Sequence, residues 1–295
     1  MKKNDLWQGV SEGYTYDGAG VVHFGDIVFF VPGLLEGEEA ELGVTAMKKN
    51  YGYARIAKLL KKSEHRVTPK CSVYKQCGGC QLMHMDYAEQ LRFKTDKVKG
   101  VFLQNAKMEI EPERIITGGH EVAYRNKVQV PVQYDKGRVK MGFYRGRTNE
   151  IVQFMKKKLE ELRIGSVFRH VLIKHAHRSG QIMVCFVVRE YPFRNAERLV
   201  NDLTKAFPEI RSVTCIENRR EDNVILDGKE TVLFGEPYIE EKLLGRTFRI
   251  SARSFYQINP YATEMLYAKA IEYSGLTGVY VSVTCASEDR RHNTA

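Results

Sequence analysis

The stretch CSVYKQCGGCQLMH, residues 71–84, places three of the chain's six cysteines beside one histidine. The spacing is Cys71-x5-Cys77-x2-Cys80, with His84 four positions further on. A Cys-x2-Cys loop lets two thiolates reach one metal ion or one face of a cluster. Gly78 and Gly79 let the backbone turn tightly there and leave room for inorganic sulfide. Three readings are open from spacing alone. An iron–sulfur cluster would need a fourth ligand from elsewhere. A zinc site would use Cys71, Cys77, Cys80 and His84. The third reading is reduced cysteines with no metal.

The rest of the chain bears on that choice. The N-terminus, MKKNDLWQGV, has no apolar run after its lysines and does not read as a secretory signal. The longest clean apolar stretch, Ile182 to Val188, is far short of the ~20 residues of a membrane helix. The expectation is a cytoplasmic protein with no membrane partner. In a reducing compartment crowded cysteines bind metal or do redox work more often than they form structural disulfides. Cys185 lies in a continuous apolar run and Cys215 in an alternating one, so both read as packing residues.

The formal net charge is +10. Between Met47 and Lys75 nine Lys or Arg face a single acid, Glu64, so this window supplies eight of the ten excess charges. Tyr51, Tyr53 and Tyr74 are interleaved with them. Cations for phosphates and rings for bases suit single-stranded nucleic acid.

At 295 residues the chain has room for about two or three domains. Residues 7–60 read as about five short strands broken at Asp17-Gly18, Pro32-Gly33 and Asn50-Tyr51-Gly52, a small OB-type or SH3-like barrel. Asp86 and Glu89 mark a helix start, and Tyr87, Leu91, Val98 and Phe102 predict its packed face. Residues 122–145 return to strands. Val152, Met155, Leu159 and Leu162 predict a helix ending at Gly165. A hairpin follows about Ser179-Gly180, then a helix carrying Leu199, Val200 and Leu203. Strands are expected near 210–217 and 223–226. Pro260 to Ser274 reads as a helix with Met265, Leu266, Ala270 and Ile271 inward. Val279, Val281 and Val283 alternate as in a strand.

Taken in order, the cysteine motif, Ala123-Tyr124-Arg125-Asn126-Lys127, Gly142-Phe143-Tyr144 and Arg253-Ser254-Phe255-Tyr256-Gln257-Ile258-Asn259 carry a resemblance. From about residue 8 to 283 the chain is similar to the RNA uracil-C5 methyltransferases, in particular the 23S ribosomal-RNA type with an N-terminal TRAM domain. The resemblance implies a multidomain fold. An OB-like TRAM β-barrel (1–63) is followed by an α+β central domain (64–250), with the helix at 86–107 packing on the C-terminal domain. The start of a Rossmann-like α/β methyltransferase domain (251–295) comes last and is truncated. It implies a 4Fe-4S cluster on Cys71, Cys77 and Cys80, a contact from Gln257 to S-adenosylmethionine, an RNA substrate and a monomer. In such enzymes a cysteine thiolate attacks uracil C6, C5 takes the methyl group, and a base then removes the C5 proton.

Three departures qualify that implication. The segment that would bear the fourth cluster cysteine is missing where Gly142–Asn149 runs into Glu150. Cys285 is followed by Ala286-Ser287-Glu288 and not by a glycine loop. No residue matches the catalytic cysteine or the base. The expectation is a shortened gene product, with an internal deletion near 149 and a changed frame near Thr284, that does not methylate. A non-catalytic iron–sulfur or Cys3His zinc RNA binder, and a tRNA-directed enzyme, are the alternatives.

Overall fold

The structure is a computed structural model that describes residues 2–71, 74, 79–136, 138–141 and 146–275, with side chains in the last span from residue 152. Cys77, Lys75, Gly142–Tyr144 and the expected strand at 279–283 lie outside the described residues. The chain divides into two compact units on either side of Ile115 and Ile116.

The first unit holds six strands: β1 (Leu6–Val10), β2 (Gly13–Tyr14), β3 (Gly20–Phe24), β4 (Ile27–Val31), β5 (Glu39–Met47) and β6 (Tyr51–Lys61). They form one sheet in the order β1-β5-β6-β4-β3-β2, antiparallel throughout except for β4 beside β6. The expected turns at 17–18 and 32–33 separate β2 from β3 and follow β4. Trp7, Val22, Phe29, Leu34, Leu42 and Val44 make the core. Gly52 is required there, because a Cβ would meet the Phe29 ring at 2.4 Å.

Helix α1 (Tyr87–Ala106) starts where the sequence placed it, the Asp86 carboxylate accepting from Glu89 N at 2.8 Å. The reciprocal half of the capping box does not form. Asp86 N donates to His65 O, while the Glu89 carboxylate accepts from Tyr14 Oη (2.5 Å) and Arg92. The packed face also differs. Glu89 and Phe93 are the buried positions, with Phe93 edge-on to Tyr14 at 5.4 Å. Val98 and Phe102 stay more than 40% exposed. Tyr14 of β2, not the sequence stripe, selects the face. Within its own unit α1 is held by Tyr14 and Glu36.

The second unit is a mixed sheet in the order β12-β11-β10-β9-β7-β8. Its strands are β7 (Lys127–Asp135), β8 (Arg138–Met141), β9 (Phe168–His175), β10 (Ile182–Val188), β11 (Ile210–Glu217) and β12 (Lys229–Gly235). Only β10 and β11 run parallel, as the intervening helix requires. Helices α2 (Gly146–Glu161) and α3 (Ala196–Ala206) cover one face through Met155, Leu159, Leu199 and Leu203. A hairpin, β13 (Tyr238–Leu243) with β14 (Arg246–Ser251), covers the other through Ile239 and Ile250. β10 is buried along its whole length, which explains its unbroken apolar text. Residues 223–226 are not a strand. The Asn218 side chain donates to Val224 O and Ile225 O, both at 2.9 Å, and holds them as a loop.

Helix α4 (Pro260–Ser274) is capped by Asn259, whose Oδ1 accepts from Ala262 N at 3.1 Å, and ends on Gly275 at φ +63°. Met265 and Leu266, expected inward, are 46% and 53% exposed; Thr263 is the buried position. No helix among the described residues is long and apolar enough to cross a membrane.

Candidate functional site

Alternation along β6 turns Gly52 and Ala54 inward and Tyr51, Tyr53 and Arg55 outward. Phe30 pairs with Tyr53 across β4 and β6. The three rings of Phe30, Tyr51 and Tyr53 stand mutually 5.8 Å apart, with the two tyrosines 37% and 40% exposed. The β5–β6 turn sets Lys48 and Lys49 beside Tyr51, Lys48 N donating to Tyr51 O at 2.8 Å. Lys58, Lys61, Lys62 and Lys70 are exposed too, and among the described residues none of these cations is ion-paired. Exposed rings framed by unpaired cations can stack bases and neutralise phosphates.

Arg66, which the charge count grouped with these cations, has a structural role. It grips the fully buried Glu38 through Nε and Nη2 at 2.5 Å and Gly33 O at 2.6 Å. Glu38 also accepts from Leu35 N and Ser63 N. This knot fixes where the chain leaves β6. A second knot, Tyr14–Glu89–Arg92–Glu36, fixes α1. The Arg92 guanidinium beside Glu89 holds that carboxyl below its usual range.

The cysteine loop lies between these two fixed points. Cys71 is half-buried and Cys80 exposed. Among the described residues no three His, Cys, Asp or Glu side chains converge as a metal-binding group. His84 follows Cys80 by four positions on the same stretch. It is 3% exposed, and burial pushes its imidazole down to about 4, so it is neutral near pH 7. Its Nδ1 lies 2.7 Å from Tyr74 Oη, and Tyr74 Oη donates to Gln81 O at 2.7 Å. The buried Nε2 has no partner among the described residues.

Gln257 lies on the loop between β14 and α4. Its backbone is pinned by Asn126, which donates from Nδ2 to Gln257 O and from N to Ile258 O, both at 3.0 Å. Lys174 supports the same loop from β9, Nζ donating to Ser251 O (2.7 Å) and Ser254 O (2.8 Å). Thus the Ala-Tyr-Arg-Asn-Lys and Ser-Phe-Tyr-Gln-Ile-Asn motifs, far apart in sequence, meet. The Gln257 side chain makes no hydrogen bond among the described residues, so its amide is available to a ligand. Asn126 stands in a quoted motif without an assigned role, and Lys174 stands in none. A buried Lys inside a β-strand, 5% exposed, is the signal that could have found the second. Cys185 and Cys215 are buried as expected, and burial pushes both thiols up to about 12.

No protein-family model matches the chain. It is similar along 94% of its length to bacterial proteins described as uncharacterized RNA methyltransferases. One from Oceanobacillus iheyensis is 35% identical and one from Clostridium tetani 33%. The chain spans 65% and 66% of those proteins, just under two thirds. It also shares the fold of a Pyrococcus abyssi tRNA (uracil-54, C5)-methyltransferase solved with S-adenosyl-L-homocysteine. The TM-score is 0.66 at 24% identity, over 90% of this chain and 64% of that one. The chain is therefore similar to proteins described as RNA methyltransferases.

Proposed function

We propose that the chain is the RNA-holding portion of an S-adenosylmethionine-dependent uracil-C5 methyltransferase acting on a uridine of 23S rRNA. Within these 295 residues it binds RNA without transferring a methyl group. The observation that carries this reading is the Phe30–Tyr51–Tyr53 cluster, its two tyrosines exposed and framed by unpaired cations, on a sheet that we assign as a TRAM module. Three inherited parts, 1–63, 64–250 and 251–295, are the proposed modular division, and the molecule is proposed to work as a cytoplasmic monomer.

The chemistry of the residues supports the absence of turnover. Attack on uracil C6 needs an accessible thiolate. Cys185 and Cys215 are buried and held protonated. Cys71, Cys77 and Cys80 are assigned to the metal centre, where a 4Fe-4S cluster would cross-link the loop between the two knots. Gln257 can meet one side of a methyl donor, but the sequence after Cys285 offers no glycine loop for the other side, so the donor site is incomplete. We also infer an internal deletion, placed near residue 149 by the sequence break there. Since 94% of 295 residues is about 277, an alignment of 302 positions leaves about 25 that this chain lacks.

The fold likeness to the Pyrococcus tRNA enzyme favours a second reading, transfer RNA as substrate. Filter binding to a 23S rRNA fragment and to a tRNA transcript distinguishes them. Tritium transfer from labelled S-adenosylmethionine tests the rest. Salt-dependent binding with no transfer is expected, and turnover by the purified chain would refute the proposal.

A further inference from the structure

We propose that Arg55 is a third stacking plane of the RNA face, holding the base next in line after those on Tyr51 and Tyr53. This rests on the RNA-holding reading above and names a base-contacting residue for it.

Tyr51, Tyr53 and Arg55 occupy every second position of β6 on one face, so they follow one another at a pitch of about 6.7 Å. Of the two arginines between Met47 and Lys75, Arg66 is taken up by Glu38 and Gly33. Arg55 is exposed, and among the described residues no hydrogen bond or ion pair engages its guanidinium.

The path of that side chain is set by a missing one. Arg55 stands directly opposite Gly43 on β5, and Gly43 opposite Leu6 on β1. A Cβ at Gly43 would stand 3.7 Å from Arg55 Nε, 3.8 Å from its Cγ and 3.3 Å from Leu6 Cδ2. The arginine therefore runs sideways across the bare glycine backbone toward Leu6 instead of standing off the sheet into water. Glycine inside a strand weakens it and marks a close approach. The core does not require it here, because Leu42 and Val44 serve the core and Gly43 faces away from it. A guanidinium lying along a sheet turns its planar face outward, and such planes stack bases as aromatic rings do. Leu6, 58% exposed, closes the far end with an apolar edge. Phosphates are left to the lysines, Lys48 and Lys49 at the Tyr51 end and Lys58 and Lys61 beyond Arg55. A lysine at position 55 would supply charge without a plane.

The test compares the affinity of the full chain for a uridine-rich single strand with that of Arg55→Lys, Arg55→Tyr and Gly43→Val, thermal unfolding serving as the check on fold. Arg55→Lys keeps the charge and loses the plane, and should bind about 5–150-fold more weakly. Arg55→Tyr loses the charge and keeps a plane, and should bind more tightly than Arg55→Lys. Gly43→Val fills the bed of the arginine and should weaken binding by a similar factor with Arg55 still present. If Gly43→Val unfolds, the two Arg55 variants decide alone. Parent-level binding by Arg55→Lys or by a folded Gly43→Val, or weaker binding by Arg55→Tyr than by Arg55→Lys, overturns the inference and leaves the RNA-holding reading intact. A parent chain that does not bind the strand ends both.

Discussion

Replacing Asn126 probes how the second unit holds its proposed donor-side loop. The Nδ2–Gln257 O bond is 3.0 Å long, and Asn126 is 7% exposed. Asn126→Ala removes one amide–carbonyl bond, worth about 0.5–1.5 kcal/mol net. Since Gln257 is only half-buried, water can replace part of it, so about 1 kcal/mol is expected. Asn126→Asp instead sets a carboxylate oxygen against the Gln257 carbonyl at a site with little water. The added cost of an unpaired buried charge brings the loss to about 3 kcal/mol or more near pH 7. The sign of its pH dependence follows. Burial and the facing acceptor raise the Asp pKa in the folded state, so the folded state binds the proton more tightly. Destabilisation is then full at neutral pH and fades as pH falls toward the unfolded carboxyl value of about 4. Native-state hydrogen exchange of the amides at 253–259 reads this opening directly. Equal protection in the Ala and Asp variants, or an Asp variant insensitive to pH, would show that the Asn126–Gln257 bond does not hold the loop.

Other outcomes follow from single contacts. Gly52→Ala drives a methyl into the Phe29 ring and should cost about 1–3 kcal/mol in urea unfolding of the first unit; an unchanged midpoint would show that the ring moves aside freely. Arg66→Met strands the buried Glu38 carboxylate and should cost about 3–5 kcal/mol, largely recovered when Glu38→Gln is added; strict additivity of the two substitutions would contradict the pairing. Glu89 has a lowered folded pKa, so its contribution is present above the unfolded carboxyl value of about 4.3 and lost as pH falls through the folded one. Glu89→Gln should therefore lower the urea midpoint at pH 7 and lose that effect at the acid end, and a pH-independent difference would count against it.

Local periodicity made much of the fold legible. Val152, Met155 and Leu159 mark α2, and Leu199 and Leu203 mark α3, because each stripe packs against one sheet face. What failed was decided by distant partners. α1 buries Glu89 because Tyr14, 75 positions earlier, satisfies it. Glu241 breaks the apolar alternation of β13 in the sequence, yet it is 1% exposed and accepts from His177 N and Arg178 N. Arg66 was read as an RNA-facing cation because Glu38, its partner, lies 28 residues away. The candidate site was legible as chemistry, in cysteine spacing and in cations among tyrosines. The positioning roles of Asn126 and Lys174 emerge only when the chain is folded.

RNA binding by the first unit is the central claim, and its salt dependence tests it most directly. Affinity for a uridine-rich single strand is measured between about 50 and 200 mM salt, for the full chain and for Tyr51→Ala with Tyr53→Ala. With about five phosphates neutralised, log K against log salt should slope at about −3.5. The double substitution should weaken binding by about 2–6 kcal/mol while leaving that slope unchanged. A slope near zero, or a tyrosine variant that binds as tightly as the parent, contradicts the account.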